Sequence, residues 1–251
     1  MAEAVCPHCN GTGWKIREQD GIPSAAPCEC RGVEREKRLI ERAAIPPNYA
    51  AASIDTFILP KDNPAGRSAM AEVLVTVRSY VREFPVVERP GLLLLGPPGT
   101  GKTHLAVAAL RELIGRGFEG VFFDYQNLLD RIRSGYDKAS GVIDREVYQA
   151  ALDAEILLLD DLGAHRVTDW VEDTVTSIIT HRCNYRKPLI ATTNLRDPDA
   201  GDRRAAGLES DLQSKYFLEE RIGMRARSRL FEMCRIVRMP AVEDFRIRRR
   251  Q

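Results

Sequence analysis

The run Gly96-Pro97-Pro98-Gly99-Thr100-Gly101-Lys102-Thr103 fits G-x-x-x-x-G-K-[ST] at every position. These residue types suit one task, the holding of phosphate. Glycines let successive backbone N–H groups curl inward as an anion cradle. A helix opening near Lys102 adds the positive end of its dipole. The Lys102 ammonium is expected to reach the β- and γ-phosphates of ATP, and the Thr103 hydroxyl to hold Mg²⁺. A second element, Ile156-Leu157-Leu158-Leu159-Asp160-Asp161, reads as an apolar strand ending in paired acids. Asp160 is expected to hold Mg²⁺, directly or through water, and Asp161 to orient or deprotonate the attacking water. A third strand, Pro188 to Thr192, ends in Thr193-Asn194. Asn194 there could sense the γ-phosphate or the attacking water. Each element alone has a plainer reading: a glycine-rich turn, a capped strand end, a turn cap. In register with a strand before and a helix after, the first reads as a phosphate loop.

Four of the six cysteines fall in the first thirty residues. Cys6-Pro7-His8-Cys9 is a C-x-x-C knuckle followed by Asn10-Gly11-Thr12-Gly13, and Cys28-Glu29-Cys30 comes eighteen residues later. Four thiolates suit tetrahedral Zn²⁺ in a structural site with no open position. His8 is a competing ligand. A redox C-x-x-C is the alternative, but it belongs on a strand-to-helix turn, which this segment lacks. Trp14 is expected to pack its apolar body on the small module. Cys183 and Cys234 stand alone and read as packing residues.

Residues 221–251 hold ten Arg and three acids. Arg221, Arg225 and Arg229 recur at i, i+4 and i+8, so on one helix they share a face. Three readings compete: an arginine finger aimed at a neighbouring subunit's ATP, a phosphate-tracking DNA surface, or plain surface charge. For Arg248-Arg249-Arg250, surface charge or DNA contact is the expectation.

These side chains need elements to position them. The apolar spacing Met70, Val73, Val77, Val81, Phe84 predicts a helix over Arg67 to Phe84. Residues 31–44 are charged and helix-prone, and Ile45-Pro46-Pro47 ends that helix. From Gly91 onward, short apolar strands alternate with helices. Strands are expected at Gly91–Leu95, Gly120–Phe123, Ile156–Leu159, Pro188–Thr192 and Arg235–Pro240. The expected helices are Thr103–Ile114, Asn127–Ser134, Arg145–Ala151, Val171–Arg186 and Leu212–Met233. Continuous apolar strands separated by helices mean a parallel sheet covered on both faces. The chain has 37 basic and 36 acidic side chains, which excludes nucleic-acid coating by bulk charge. No apolar run approaches the roughly 20 residues that cross a bilayer, and MAEAVCPHCN lacks the pattern of a secretory leader. A cytoplasmic protein without membrane partners is expected.

In that order, the phosphate loop, paired acids, Asn-tipped strand and Arg-rich helix resemble an AAA+ ATPase. More narrowly, the chain resembles the DnaC/DnaI helicase loaders and the IstB transposition ATPases. The matching segments are Gly96–Leu105 (GPPGTGKTHL), Asn127–Arg133 (NLLDRIR), Ile156–Gly163 (ILLLDDLG), Pro188–Leu195 (PLIATTNL) and Asp244-Phe245-Arg246. The resemblance implies an α/β three-layer P-loop fold with a parallel central sheet, little or no lid domain, and an N-terminal zinc module. It implies three regions: 1–31 as the zinc module, 32–66 as a helical linker and lead-in, and 67–251 as the ATPase domain. Nucleotide contacts would run from Gly96 to His104, and Arg246 would be the second sensor, in cis. The family pattern E-R-x-x-S-R-L is here split, with four residues inserted between Glu220-Arg221 and Ser228-Arg229-Leu230. All three of Arg221, Arg225 and Arg229 are therefore finger candidates. Arg131, Arg133 and Lys138 fall where initiator-type members insert a DNA-facing element, with ordinary surface charge the alternative. The implied function is a switch: ATP assembles subunits that grip single-stranded DNA and load a hexameric replicative helicase. The zinc module would contact that helicase. The alternatives are an IstB-like helper of a transposase and a nucleotide-binding scaffold without hydrolysis.

Overall fold

The computed structural model describes residues 6–19, 22–61, 63–86, 88–136, 142–197 and 217–248. Five strands form one sheet: β3 (Gly91–Leu95), β4 (Gly120–Asp124), β5 (Ile156–Asp160), β6 (Leu189–Thr193) and β7 (Cys234–Arg238). Their spatial order is β4-β5-β6-β3-β7, and every pairing is parallel. The expected parallel sheet is present. Every residue of β3, β5 and β6 is buried. Alternation within these apolar runs sends side chains to opposite faces. Leu92 and Leu94 join one core with helices α1 (Cys30–Arg42), α2 (Pro64–Glu83) and α3 (Lys102–Gly115). Leu93 and Leu95 join the other, with α4 (Tyr125–Tyr136), α5 (Val142–Asp153) and α6 (Asp169–Asn184).

Local chemistry sets the helix ends. Asn63 caps α2 by accepting from the Gly66 N–H, with Pro64 at the first turn. The predicted stripe Met70, Val73, Val77, Val81 is buried on that helix. Thr168 caps α6, which opens with acids Asp169 and Glu172 and closes with His181 and Arg182. Arg182 is wholly buried, and burial pulls its pKa down to about 9. Its guanidinium donates to the Ala151 and Pro188 carbonyls over 3.0 and 2.6 Å, tying the end of α5 to the entry of β6.

One expectation is corrected. The expected helix Leu212–Met233 is two helices, α7 (Glu219–Ile222) and α8 (Met224–Met233). Gly223 between them has φ 81° and ψ 152°, which no continuous helix accommodates. Residues 212–216 lie outside the described residues. The N-terminal segment also holds regular structure: β1 (Trp14–Gln19) pairs antiparallel with β2 (Ile22–Pro27). Helix α1 opens at Cys30, the last of the four N-terminal cysteines.

Candidate nucleotide site and cysteine cluster

The strand order places β5, β6 and β3 side by side, so their carboxyl tips converge. The phosphate loop follows β3, the acid pair follows β5, and Asn194 follows β6. Gly99 and Gly101 have φ of 73° and 91°, in the left-handed region that glycine tolerates. A Cβ on Gly99 would come within 2.0 Å of Asp244 Cγ, so the loop is closed over by the segment carrying Arg246. The Phe245 N–H donates to the Gly99 carbonyl over 3.1 Å. Gly101 caps α3, so its backbone N–H groups face the loop.

Lys102 is buried, and its ammonium donates to the Gly96 and Pro97 carbonyls over 2.8 and 2.7 Å. Burial pulls its pKa down to about 8, against the pull of Asp161 and Asp160. Carbonyl dipoles here occupy the ammonium that phosphate oxygens would take. Asp160 is 8% exposed, and burial holds its carboxyl above its ordinary pKa, opposed by hydrogen bonds from Thr192 and Thr103. A hydroxyl and a desolvated carboxylate in hydrogen-bond reach fit the donor set Mg²⁺ prefers.

Thr192 links the two acids. Its hydroxyl donates to Asp160 Oδ1 over 2.6 Å and accepts from the Asp161 N–H over 2.9 Å. Asn194 Nδ2 donates to Asp161 Oδ1 over 2.8 Å. A cavity of about 760 Å³ opens beside these groups. Of the predicted site residues its lining includes Pro98 to His104, Asp161, Asn194 and Arg246, while Gly96, Pro97 and Asp160 are outside it. Tyr49, Phe57, Ile58 and Val242 add an apolar wall suited to a base. Nothing in the motifs points to Phe57 and Ile58 for this role. The signal was faint: two apolar residues in an irregular lead-in. His104 Nε2 donates to the Ser53 carbonyl over 2.9 Å, and its ring meets Phe57 edge-on, so it braces that wall. Thr192 was also missed, although a polar pair ending the run Leu189-Ile190-Ala191 was visible.

Residues 67–197 match the family described as IstB-like ATP binding protein, over half of the chain. The chain belongs to this family. Its IstB-like core is 27% identical over 170 residues to the insertion sequence IS5376 putative ATP-binding protein of Geobacillus stearothermophilus. That match covers 66% of this chain and 62% of the relative. The replicative helicase loader DnaC of Escherichia coli is 23% identical over 181 residues, covering 72% of this chain and 70% of DnaC. A crystal structure of the DnaC helicase loader superposes with TM-score 0.61 at 31% identity, covering 78% of this chain and all of that one. The AAA+ fold and an ATP-binding core follow from these matches.

The arginines of this IstB-like chain do not share a face. Arg221 sits on α7, half-buried, with its Nε donating to the Gly163 carbonyl over 2.9 Å. Arg225 and Arg229 are exposed on α8, beyond the Gly223 break. Arg229 pairs with Glu232 over 2.8 Å. Arg227, outside the predicted stripe, makes two 2.6 Å bonds to the buried Asp197 carboxylate. Arg131 and Arg133 are exposed on α4, stacked over Phe123 and Trp170 at 5.9 and 6.0 Å. Lys138, Arg249 and Arg250 lie outside the described residues.

The four N-terminal cysteines converge. All four Sγ atoms lie within 4.8 Å of one another, with Cys6–Cys28 at 3.9 Å and Cys9–Cys30 at 3.4 Å. Zn–S bonds of about 2.3 Å place tetrahedral sulfurs about 3.8 Å apart, so the cluster fits one Zn²⁺. The Gly13 N–H donates to Cys9 Sγ over 3.3 Å. His8 is exposed and stands outside the cluster. Trp14 is 48% exposed, with the Arg31 guanidinium over its ring at 4.9 Å. Cys234 is buried, as expected of a packing residue, and Cys183 is half-buried. Among the described residues, no helix is long and apolar enough to cross a membrane.

Proposed function

We propose that this protein hydrolyses ATP and uses the cycle to load a hexameric replicative helicase onto single-stranded DNA during DNA replication. Support for hydrolysis is the bonded row Asp160–Thr192–Asp161–Asn194 beside the Lys102 loop. Lys102 and the backbone of Gly96–Thr103 hold the phosphates, Thr103 and Asp160 take Mg²⁺, and Asp161 aligns water, with Asn194 reading the γ-phosphate. Bound Mg²⁺ would screen charge on the transferring phosphoryl group. Arg246 closes the cavity in cis. Asp161 is one methylene shorter than Glu and is already bonded to Asn194, so turnover is slow until a partner repositions it. Exposed Arg225 and Arg229 complete a neighbouring subunit's site in the ATP-bound assembly. Cytoplasmic location follows from this role.

The observation carrying the loader reading is the likeness to DnaC along that chain's whole length, together with the four-thiol module that DNA-loading partners would grip. Residues 1–31 would act as that module, 32–66 as linker and lead-in, and 67–251 as the ATPase domain. The test is co-elution of the protein with its cognate hexameric helicase. Binding should need ATP, strengthen with single-stranded DNA, and weaken in Cys28→Ser/Cys30→Ser while ATP binding persists. Binding that ignores both ATP and the double substitution contradicts the proposal. The second reading, an ATP-dependent transposase helper, is favoured by the likeness to the IS5376 protein. It predicts ATP-dependent filaments on duplex DNA at low salt, where the loader reading predicts single-strand preference.

A further inference from the structure

Half-buried Arg221 is bonded within its own subunit. The carbonyl it grips, that of Gly163, belongs to the turn that carries Asp161. That turn is tightly specified: Asp161 has φ 56° and Gly163 φ 85°. Leu162 is buried, and its N–H donates to the Thr192 carbonyl over 2.8 Å. A Cβ on Gly163 would lie 2.4 Å from Leu195 Cδ1 and 3.2 Å from Arg221 Cβ. The acid turn, the segment after β6 and α7 are thus in mutual contact.

A second tie runs to the other tip. The Leu218 N–H donates to the Arg196 carbonyl over 2.9 Å, and Arg196 bridges Phe217. Arg196 follows Asn194 by two residues. The short helix α7 and the two residues leading into it therefore fasten both the β5 tip, with Asp161, and the β6 tip, with Asn194. Arg225 and Arg229 make neither tie.

We propose that Arg221 is a positioning residue acting in cis: its guanidinium holds the Gly163 turn so that Asp161 and Asn194 keep the geometry that aligns the attacking water. The proposal rests on the reading of Asp161 as the water-orienting acid. It leaves Arg225 and Arg229 as the residues that can serve a neighbouring subunit.

The experiment mixes subunits and measures ATP turnover with single-stranded DNA present. Lys102→Ala subunits cannot hold phosphate but keep every arginine, so they can donate a finger to others. Arg221→Ala alone should lose about 10- to 100-fold in kcat, with KM for ATP within about twofold, the pattern of an interaction made in the transition state. Adding Lys102→Ala subunits should not restore it. The same addition should restore an Arg225→Ala/Arg229→Ala variant. Arg221→Lys keeps the charge but loses the Nε donor and should remain impaired. Gly163→Ala presses on the same contact from the other side and should reproduce the kcat loss, with folding checked by thermal melting. Recovery of Arg221→Ala in the mixture overturns the proposal, as does a raised KM at unchanged kcat, or full kcat in folded Gly163→Ala. If only the Arg225→Ala/Arg229→Ala control fails to recover, the trans-finger reading of α8 falls, and the kcat-against-KM pattern of Arg221→Ala still decides this proposal.

Discussion

Asn194 Nδ2 donates to Asp161 Oδ1 over 2.8 Å, joining the tips of two neighbouring strands. The bond commits one of the two Asn194 amide N–H groups to the acid. On the proposed function, a γ-phosphate in the cavity would compete for the Asn194 amide and free Asp161 toward water.

Asn194→Ala should leave ATP affinity near wild type and lower the hydrolysis rate about tenfold or more. Asp161→Asn, which removes the acid itself, should cost about 10²- to 10⁴-fold. Both are read as phosphate release at saturating ATP. An Asn194→Ala protein that binds ATP poorly but hydrolyses it at full rate would contradict this division of labour.

Binding of ATP should take up a proton at alkaline pH. Burial lowers the Lys102 pKa to about 8. Phosphate raises it again, because an opposite charge favours the ammonium. Between the two values the free protein holds fewer protons than the complex. By linkage, affinity is flat below pH 8 and falls as pH rises above it. Calorimetry at pH 8.5 in buffers of different ionisation enthalpy should show the uptake, and Lys102→Met should abolish it. Heats independent of buffer would refute the assignment.

The cysteine cluster should hold one Zn²⁺ per chain, measured by metal analysis of the purified protein. Apparent binding free energies of structural zinc are about 10–16 kcal/mol, more than a 14-residue hairpin module can supply by packing. Chelation or Cys28→Ser/Cys30→Ser should therefore unfold β1 and β2 and leave the melting transition of the ATPase core in place. A metal-free protein with a Cys6–Cys9 disulfide would favour the redox alternative.

Much of the core was legible because its signals are local and redundant. Gly91–Leu95 reads as a strand from five residues, and the loop after it is fixed by residue type at each position. The stripe from Met70 to Val81 names its own buried face. Other features depended on tertiary contact. Asp20-Gly21 is a hairpin signal by composition, yet the flanking strands carry few apolar residues, since thiol chemistry replaces a core there. The Gly223 break was hidden by a run of helix-favouring residues on both sides. Arg221 looks from spacing like a neighbour of Arg225, and only the folded chain separates them. The apolar wall of the cavity joins Phe57 to Val242, a pairing that no local pattern encodes.

On the proposed function, ATP bound at Lys102 drives helicase loading. The direct measurement is helicase delivery to a primed single-stranded circle, scored by displacement of the annealed strand. With ATP, the wild-type protein should raise displacement well above helicase alone, and Lys102→Ala should not. Equal displacement with wild type and Lys102→Ala, or none above helicase alone with either, would contradict the account.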